Sequence, residues 1–227
     1  MPPCPAPETC WLYLVRHGAT DNNRATPPRL QGRRTDPPLS VEGREQARQT
    51  GTFLAARPLH AVYSSPLLRA RQTAEAIAEA QGLSVQVVDE FVEVDVGAWE
   101  GRSWEEIQQT DPQAYEAFMA DATKNPYLGG ETLQTVLDRA LPAFQRLAAG
   151  NLGRQIAVVA HNVVNRAYLA HLMGVPVARY RSIPQDNCGL NLLRCRKDRV
   201  KVVTINGCFH LAEEPSTNSS TAPSPAS

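Results

Sequence analysis

Leu12-Tyr13-Leu14-Val15-Arg16-His17-Gly18-Ala19-Thr20 decides how the chain is read. Four largely apolar residues with branched or aromatic side chains run into Arg16, and Gly18 breaks the pattern directly after His17, as in a buried strand entering a tight turn. Imidazole and guanidinium then share one strand end. The cation favours the neutral, nucleophilic imidazole and can hold an anion against it, which points to chemistry on phosphate. A lone histidine after a strand is more often structural than catalytic. The reading therefore depends on other strand ends supplying a second histidine, a second arginine and a carboxylate.

Composition narrows the class. The chain has 227 residues, 42% of them hydrophobic, enough for one domain with a proper core. Its 23 basic and 23 acidic residues cancel, so no overall field recruits nucleic acid or an anionic membrane, and an anion site must be local. No apolar run approaches the width of a bilayer, and the opening Met1-Pro-Pro-Cys-Pro has neither a basic nor an apolar leader region. A cytoplasmic location is expected, with Cys4, Cys10, Cys188, Cys195 and Cys208 as free thiols, since no Cys-x-x-Cys spacing occurs.

Outward from the opening stretch, strand-like and helix-like patterns alternate, which predicts a three-layer α/β/α sandwich around a mostly parallel central sheet with an antiparallel edge strand. The domain is expected over residues 10–211, with a flexible proline-rich tail at 1–9 and a disordered Ser/Thr/Pro/Ala tail at 212–227. An arginine-bearing loop from Arg24 to Pro38 precedes a helix capped by Ser40. His60–Ser64 reads as a strand, and Ser65-Pro66 as the cap and first residue of the next helix. Arg69 lies off the apolar stripe of that helix, near its anion-favouring N-terminus. After a strand at about 84–88, carboxylates and apolar residues alternate from Phe91 to Gly101, placing Glu93 and Asp95 on one side if the backbone is extended. Residues 102–130 read as short helices forming a lid. A long amphipathic helix then runs to about Gly150, bent at Pro142. Ile156–Ala160 reads as a central strand ending at His161, with Asn162 capping the following helix. Leu190–Arg196 and Val200–Ile205 read as a hairpin at the sheet edge.

Local reading thus gathers Arg16, His17, Arg69, Glu93 and His161 at the edge where open α/β sheets place their sites. These residues, with Gly32-Arg-Arg-Thr-Asp36-Pro-Pro-Leu39-Ser40 and Ser64-Ser65-Pro66-Leu-Leu-Arg69-Ala-Arg71-Gln72-Thr73-Ala74, resemble the motifs of the histidine phosphatase superfamily, phosphoglycerate mutase-like branch. The resemblance covers roughly Trp11 to Leu211. It implies a phosphoglycerate mutase-like fold and a metal-independent phosphomonoester hydrolase acting through a phosphohistidine, with no cofactor. His17 is then the nucleophile, Glu93 the acid and base, and His161 the third catalytic group, while Arg16, Asn23, Arg69 and Asn162 bind substrate. The implied partner is a small phosphorylated metabolite, either a sugar phosphate or a phosphorylated acid, with no nucleic acid and no membrane. A homodimer is allowed and not specified by any residue pattern. Asn162 stands where many relatives have glycine. Its segment, with Ile183–Gly189, is similar to a subgroup of metabolic phosphatases acting on small phosphorylated acids.

Rival readings have identifiable signatures. A phosphoglycerate mutase resembling the cofactor-dependent enzymes would carry Glu-Arg-His-Tyr-Gly where this chain has Trp99-Glu-Gly-Arg-Ser103. Cys188 and Arg194 match the Cys-x5-Arg spacing of cysteine phosphatases, yet bulky leucines fill the interval, where a phosphate loop needs inward-turned N–H groups. A non-catalytic protein-binding domain on the same fold would have no reason to keep all five groups. Asp95 and Glu100 compete with Glu93 as the acid, and Arg16 has Glu93 or Asp95 as alternative ion-pair partners.

Overall fold

The computed structural model describes residues 6–197 and 199–211. The opening stretch forms β1 (Cys10–Arg16). Its side chains alternate with the two-residue period of a strand. Leu12 and Leu14 join one core with Phe144 and Tyr168. Tyr13 and Val15 join another with Leu54, Ala74 and Ile77 on the opposite face. A sheet buried on both faces is the consequence.

The chain continues through α1 (Asp21–Arg24), α2 (Val41–Ala55), β2 (Leu59–Ser64), α3 (Leu68–Glu79) and β3 (Val85–Val87). It then forms α4 (Trp104–Thr110), α5 (Pro112–Ala120), α6 (Leu133–Gly150), β4 (Gln155–Ala160) and α7 (Asn162–Met173). It ends in the hairpin β5 (Leu190–Cys195) and β6 (Val200–Gly207). The strands lie in the order β3-β2-β4-β1-β5-β6. The first four are parallel, β5 runs against β1, and β6 runs against β5. Helices α2 and α3 cover one face and α6 and α7 the other, giving the expected three-layer sandwich. No helix among the described residues is long and apolar enough to cross a membrane.

Several boundaries differ from the sequence reading, each for a local reason. The arginine-bearing loop is preceded by α1, closed by a capping box between Thr20 and Asn23. The third helix begins at Leu68 rather than Pro66, with the Asp36 carboxylate accepting from Leu68 N–H (2.8 and 2.9 Å), while the Ser65 hydroxyl accepts from Leu67 N–H (3.3 Å) and meets His161 Nε2 (2.7 Å). The long helix runs through Pro142 as one element, with Thr132 as its cap. Residues 6–9 form a turn in which Thr9 N–H donates to Ala6 O and Thr9 O accepts from Gly153 N–H. Residues 1–5 and the expected tail at 212–227 lie outside the described residues.

Helix α2 crosses the turn after β1 at backbone contact distance. A Cβ at Gly43 would stand 2.0 Å from Ala19 O, and one at Gly18 would stand 2.5 Å from Gly43 O. Neither neighbour is a flexible side-chain end, so the backbone beside His17 must move to admit a methyl group. Gly43→Ala is expected to lower folding stability by about 1–3 kcal/mol, as overpacking does, and to lower activity with it. Denaturant unfolding and steady-state rates check both effects.

Candidate active site

The parallel register of β1 and β4 places Arg16 opposite Ala160, so His17 and His161 are the next residues on neighbouring strands. His17 N–H donates to Ala160 O (3.1 Å), and the two rings lie 5.2 Å apart between centroids. His17 Nδ1 is 2.7 Å from Gly18 O. A carbonyl only accepts, so Nδ1 carries the proton and Nε2 keeps its lone pair. His161 Nε2 meets Ser65 Oγ at 2.7 Å, and its Nδ1 is buried without a partner.

Arg69 stands close to both histidines but inside the protein. It is 0% exposed, with its guanidinium donating to Gly32 O (2.8 Å) and Thr35 O (3.3 Å) and lying 3.6 Å from Asp36. Turning the Gln31 amide so that its oxygen faces Arg69 adds contacts of 2.6 and 3.0 Å. Burial, then the charges of Arg69 and Arg16, holds the His17 pKa well below its ordinary value. Burial and Arg69 do the same to His161, with smaller contributions from His17, Arg139 and Arg16. Both imidazoles are neutral at physiological pH. Arg16 is pulled down by burial to about 10 and stays cationic, donating to Gln185 O at 2.6 Å.

Glu93 is buried, and its carboxylate accepts from Val94 N–H (2.9 Å) and Val163 N–H (3.2 Å). Burial raises its pKa against those two N–H groups and the charges of Arg69 and Arg139. The contact with Val163 also corrects the capping expectation for α7. His161 occupies the cap position and Asn162 is the first helical residue. The Glu93 carboxylate satisfies an N-terminal N–H that a capping side chain would otherwise take. Asp95 and Glu100 are engaged elsewhere. Asp95 pairs with Arg33 (3.1 Å) and Arg34 (2.9 Å), while Glu100 accepts from Gly32 N–H (2.7 Å) and Thr35 Oγ (2.6 Å).

A cavity of about 350 Å³ opens over these groups. Arg16, His17, Asn23, Glu93 and Asn162 line it, whereas Arg69 and His161 are fully buried and off its lining. Asn23 Oδ1 is anchored by Thr20 N–H (3.1 Å) and Asn187 Nδ2 (3.3 Å). Trp104 and Tyr127 line the cavity as well as packing with Trp99 and Phe118, so the 102–130 segment forms part of its wall. Two arginines missed in the sequence, Arg166 and Arg181, complete the lining. Arg166 follows Asn162 by one helical turn, a spacing that places both on one face. Nothing local marks Arg181, whose guanidinium stacks 4.5 Å over Trp104. The arginines of the 24–34 loop are paired elsewhere, Arg24 with Glu42 (3.0 Å) and Arg29 with Gly101 O (2.7 Å).

Cys188 is fully buried. Burial pushes its thiol up to about 12, and Arg194 belongs to strand β5 rather than to a phosphate loop. Among the described residues, no group of three or more His, Cys, Asp or Glu side chains is placed to hold a metal ion.

With two buried histidines, clustered guanidiniums and a buried carboxyl group at one sheet edge, comparison with known proteins gives a consistent result. The chain belongs to the histidine phosphatase superfamily (branch 1), which it matches over residues 12–207. It is 32% identical over 202 residues to phosphoserine phosphatase 1 of Hydrogenobacter thermophilus, covering 89% of this chain and 94% of that protein. It is 36% identical over 174 residues to glucosyl-3-phosphoglycerate phosphatase of Mycolicibacterium vanbaalenii, covering 73% of this chain and 75% of that protein. Among solved structures, Bacillus stearothermophilus YhfR superposes with a TM-score of 0.81 at 30% identity, covering 88% of this chain and 98% of that one.

The histidine shifts have a defined sign in stability. The ordinary histidine pKa is 6.5 and both folded values lie well below it. As pH falls below 6.5, the unfolded chain therefore takes up protons first, and stability declines toward the depressed folded values. Glu93 acts oppositely, its contribution being lost as pH rises from 4.5 through its raised folded pKa. The wild type is expected to lose more stability than His161→Gln between about pH 7 and about pH 5.5. Equal losses by denaturant unfolding would show that His161 is not held neutral.

Proposed function

We propose that this chain is a metal-independent phosphomonoesterase that works through a phosphohistidine on His17 and acts on a small phosphorylated acid. The observation that carries the reaction type is the His17 tautomer. With Nδ1–H held by Gly18 O, Nε2 is the free nucleophilic atom beside Arg16. In the first step Nε2 forms a bond to phosphorus, the bond to the leaving oxygen breaks, and that oxygen takes the Glu93 proton. In the second, Glu93 takes a proton from water as the water oxygen displaces His17, releasing phosphate. Arg16 faces the phosphoryl oxygens, and the buried charge of Arg69 lies behind the two histidines. His161, with Ser65 Oγ donating to Nε2, keeps Nδ1–H as a further donor. Such preorganised positive charge is the usual source of rate in phosphoryl transfer.

Hydrolysis, rather than transfer to a second hydroxyl, is supported by segment 99–103. Its Glu100 is bound to the 32–35 loop and its Arg102 to Asp111 (2.7 Å), leaving no added histidine or arginine at the acid. The acid substrate is supported by the charge of the lining, where Arg16, Arg166 and Arg181 stand with a single carboxyl group, that of Glu93. Arg166 Nε is buried without a hydrogen-bond partner, so a substrate carboxylate would satisfy it.

His17→Ala is expected to abolish phosphate release and the acid-labile phosphoenzyme, while Cys188→Ala retains both; the reverse pattern would refute the histidine mechanism. Arg166→Ala should raise KM for phosphoserine or 3-phosphoglycerate by about 10- to 100-fold, the worth of a charge-assisted hydrogen bond. It should leave p-nitrophenyl phosphate nearly unchanged. Equal effects on the two substrate types would remove the carboxylate assignment.

A further inference from the structure

Glu93 sits on an irregular stretch between the short turns at 89–91 and 97–99, not on a strand or helix. A general acid must nonetheless be held to within a fraction of an ångström of the oxygen it protonates. Something outside the cavity has to supply that rigidity.

We propose that Arg139 and Glu131 are positioning residues for the Glu93 acid. Arg139 projects from α6 and does not line the cavity. Its guanidinium donates to the carbonyls of Glu90 (2.6 Å) and Glu93 (3.2 Å), gripping the stretch on both sides of the acid's backbone. The same guanidinium donates to both oxygens of Glu131 (3.2 and 3.3 Å). Glu131 in turn fixes the residue two beyond the acid. Its carboxylate accepts from Asp95 N–H (2.8 Å), and its own N–H donates to Asp95 O (2.8 Å). Gly130 lets the two backbones meet, since a Cβ there would fall 2.1 Å from Asp95 O. Both side chains of the ion pair are largely shielded, at 19% and 12% exposed, so solvent does not loosen it. Apart from the Arg139–Glu131 pair itself, the clamp bonds the backbones of Glu90, Glu93 and Asp95. It therefore fixes where the carboxyl group lies and touches no reacting atom.

A purely structural ion pair would pack α6 against residues 90–95 without affecting one chemical step more than another. The two roles separate by leaving group. Departure of p-nitrophenolate needs little protonation, whereas an alkoxide such as that of glycerol 2-phosphate needs the proton from Glu93. This inference rests on Glu93 being the acid, so Glu93→Gln is measured first. It should lower kcat/KM for glycerol 2-phosphate far more than for p-nitrophenyl phosphate. A uniform fall there overturns both the acid assignment and the clamp.

Given a selective Glu93→Gln, Arg139→Gln should lower kcat/KM for glycerol 2-phosphate by about 10- to 100-fold, the effect of a small misplacement. The change for p-nitrophenyl phosphate should be under about threefold. Arg139→Lys, which keeps the charge but not the forked reach, serves if the glutamine variant fails to fold and should show the same selectivity. Adding Arg139→Gln to Glu93→Gln should cause little further loss, because both act on one step. Arg146→Gln is the control: Arg146 lies on the same helix and pairs with the Glu90 side chain at the surface, away from the two carbonyls. Uniform losses on both substrates, or the same selectivity in Arg146→Gln, would overturn the positioning role.

Discussion

The site depends on the parallel pairing of β1 with β4. In-register pairing carries each strand to the same edge, so the residues just beyond Arg16 and Ala160 must be neighbours. Adjacent strands lie about 4.8 Å apart, and the His17 and His161 ring centroids lie 5.2 Å apart. At that spacing, buried beside Arg16 and Arg69, neither imidazole is readily protonated. Burial does most to keep them neutral, and the charges that add to it also attract an anion. A phosphoryl group entering the site meets positive charge already in place, so little rearrangement is needed.

On the other side of β1, the segment leading into the antiparallel hairpin holds His17 in place. The loop before β5 closes on residues 16 and 17: Cys188 N–H donates to Arg16 O (3.0 Å), and Asn187 Nδ2 to His17 O (2.9 Å). Gln185 supplies the carbonyl that Arg16 grips, and its amide is bound to Asn165 and Asn191 inside the sheet edge. Buried amides in such a place specify one arrangement because each needs its partners there. Cys188, attractive in sequence as a rival nucleophile, is a backbone donor to the residue it seemed to compete with.

Strand ends and their histidines were legible because the signals are local. A period-two apolar run, a β-branched core strand and a following glycine or helix need only a few neighbouring residues to be recognised. The fold class and the pairing of His17 with His161 follow from such signals. What escaped is nonlocal. Arg69 reads as a site residue of its helix, but its full burial depends on carbonyls of Gly32 and Thr35 supplied more than 30 residues earlier. The start of α3 moved because Asp36, equally distant, took the capping role. Arg181 carries no local pattern that separates a cavity-lining arginine from an exposed one, and Arg166 has only its one-turn spacing from Asn162. Likewise, Arg24, Arg29, Arg33 and Arg34 are tied down by acids brought in by other segments.

The displaced cap of α7 joins fold to chemistry. Had Asn162 capped the helix with its side chain, the first-turn N–H groups would be closed to Glu93. With His161 in the cap position, Val163 N–H is open and Glu93 accepts it, together with Val94 N–H. Burial favours the protonated acid, while these two donors and the helix N-terminus favour the carboxylate. In the proposed reaction Glu93 changes between those forms twice per turnover. A site that strongly preferred either one would slow the step needing the other. Opposing burial with two fixed N–H groups brings the two forms closer in free energy, so that the proton can be given to an alkoxide and recovered from water by the same carboxyl group.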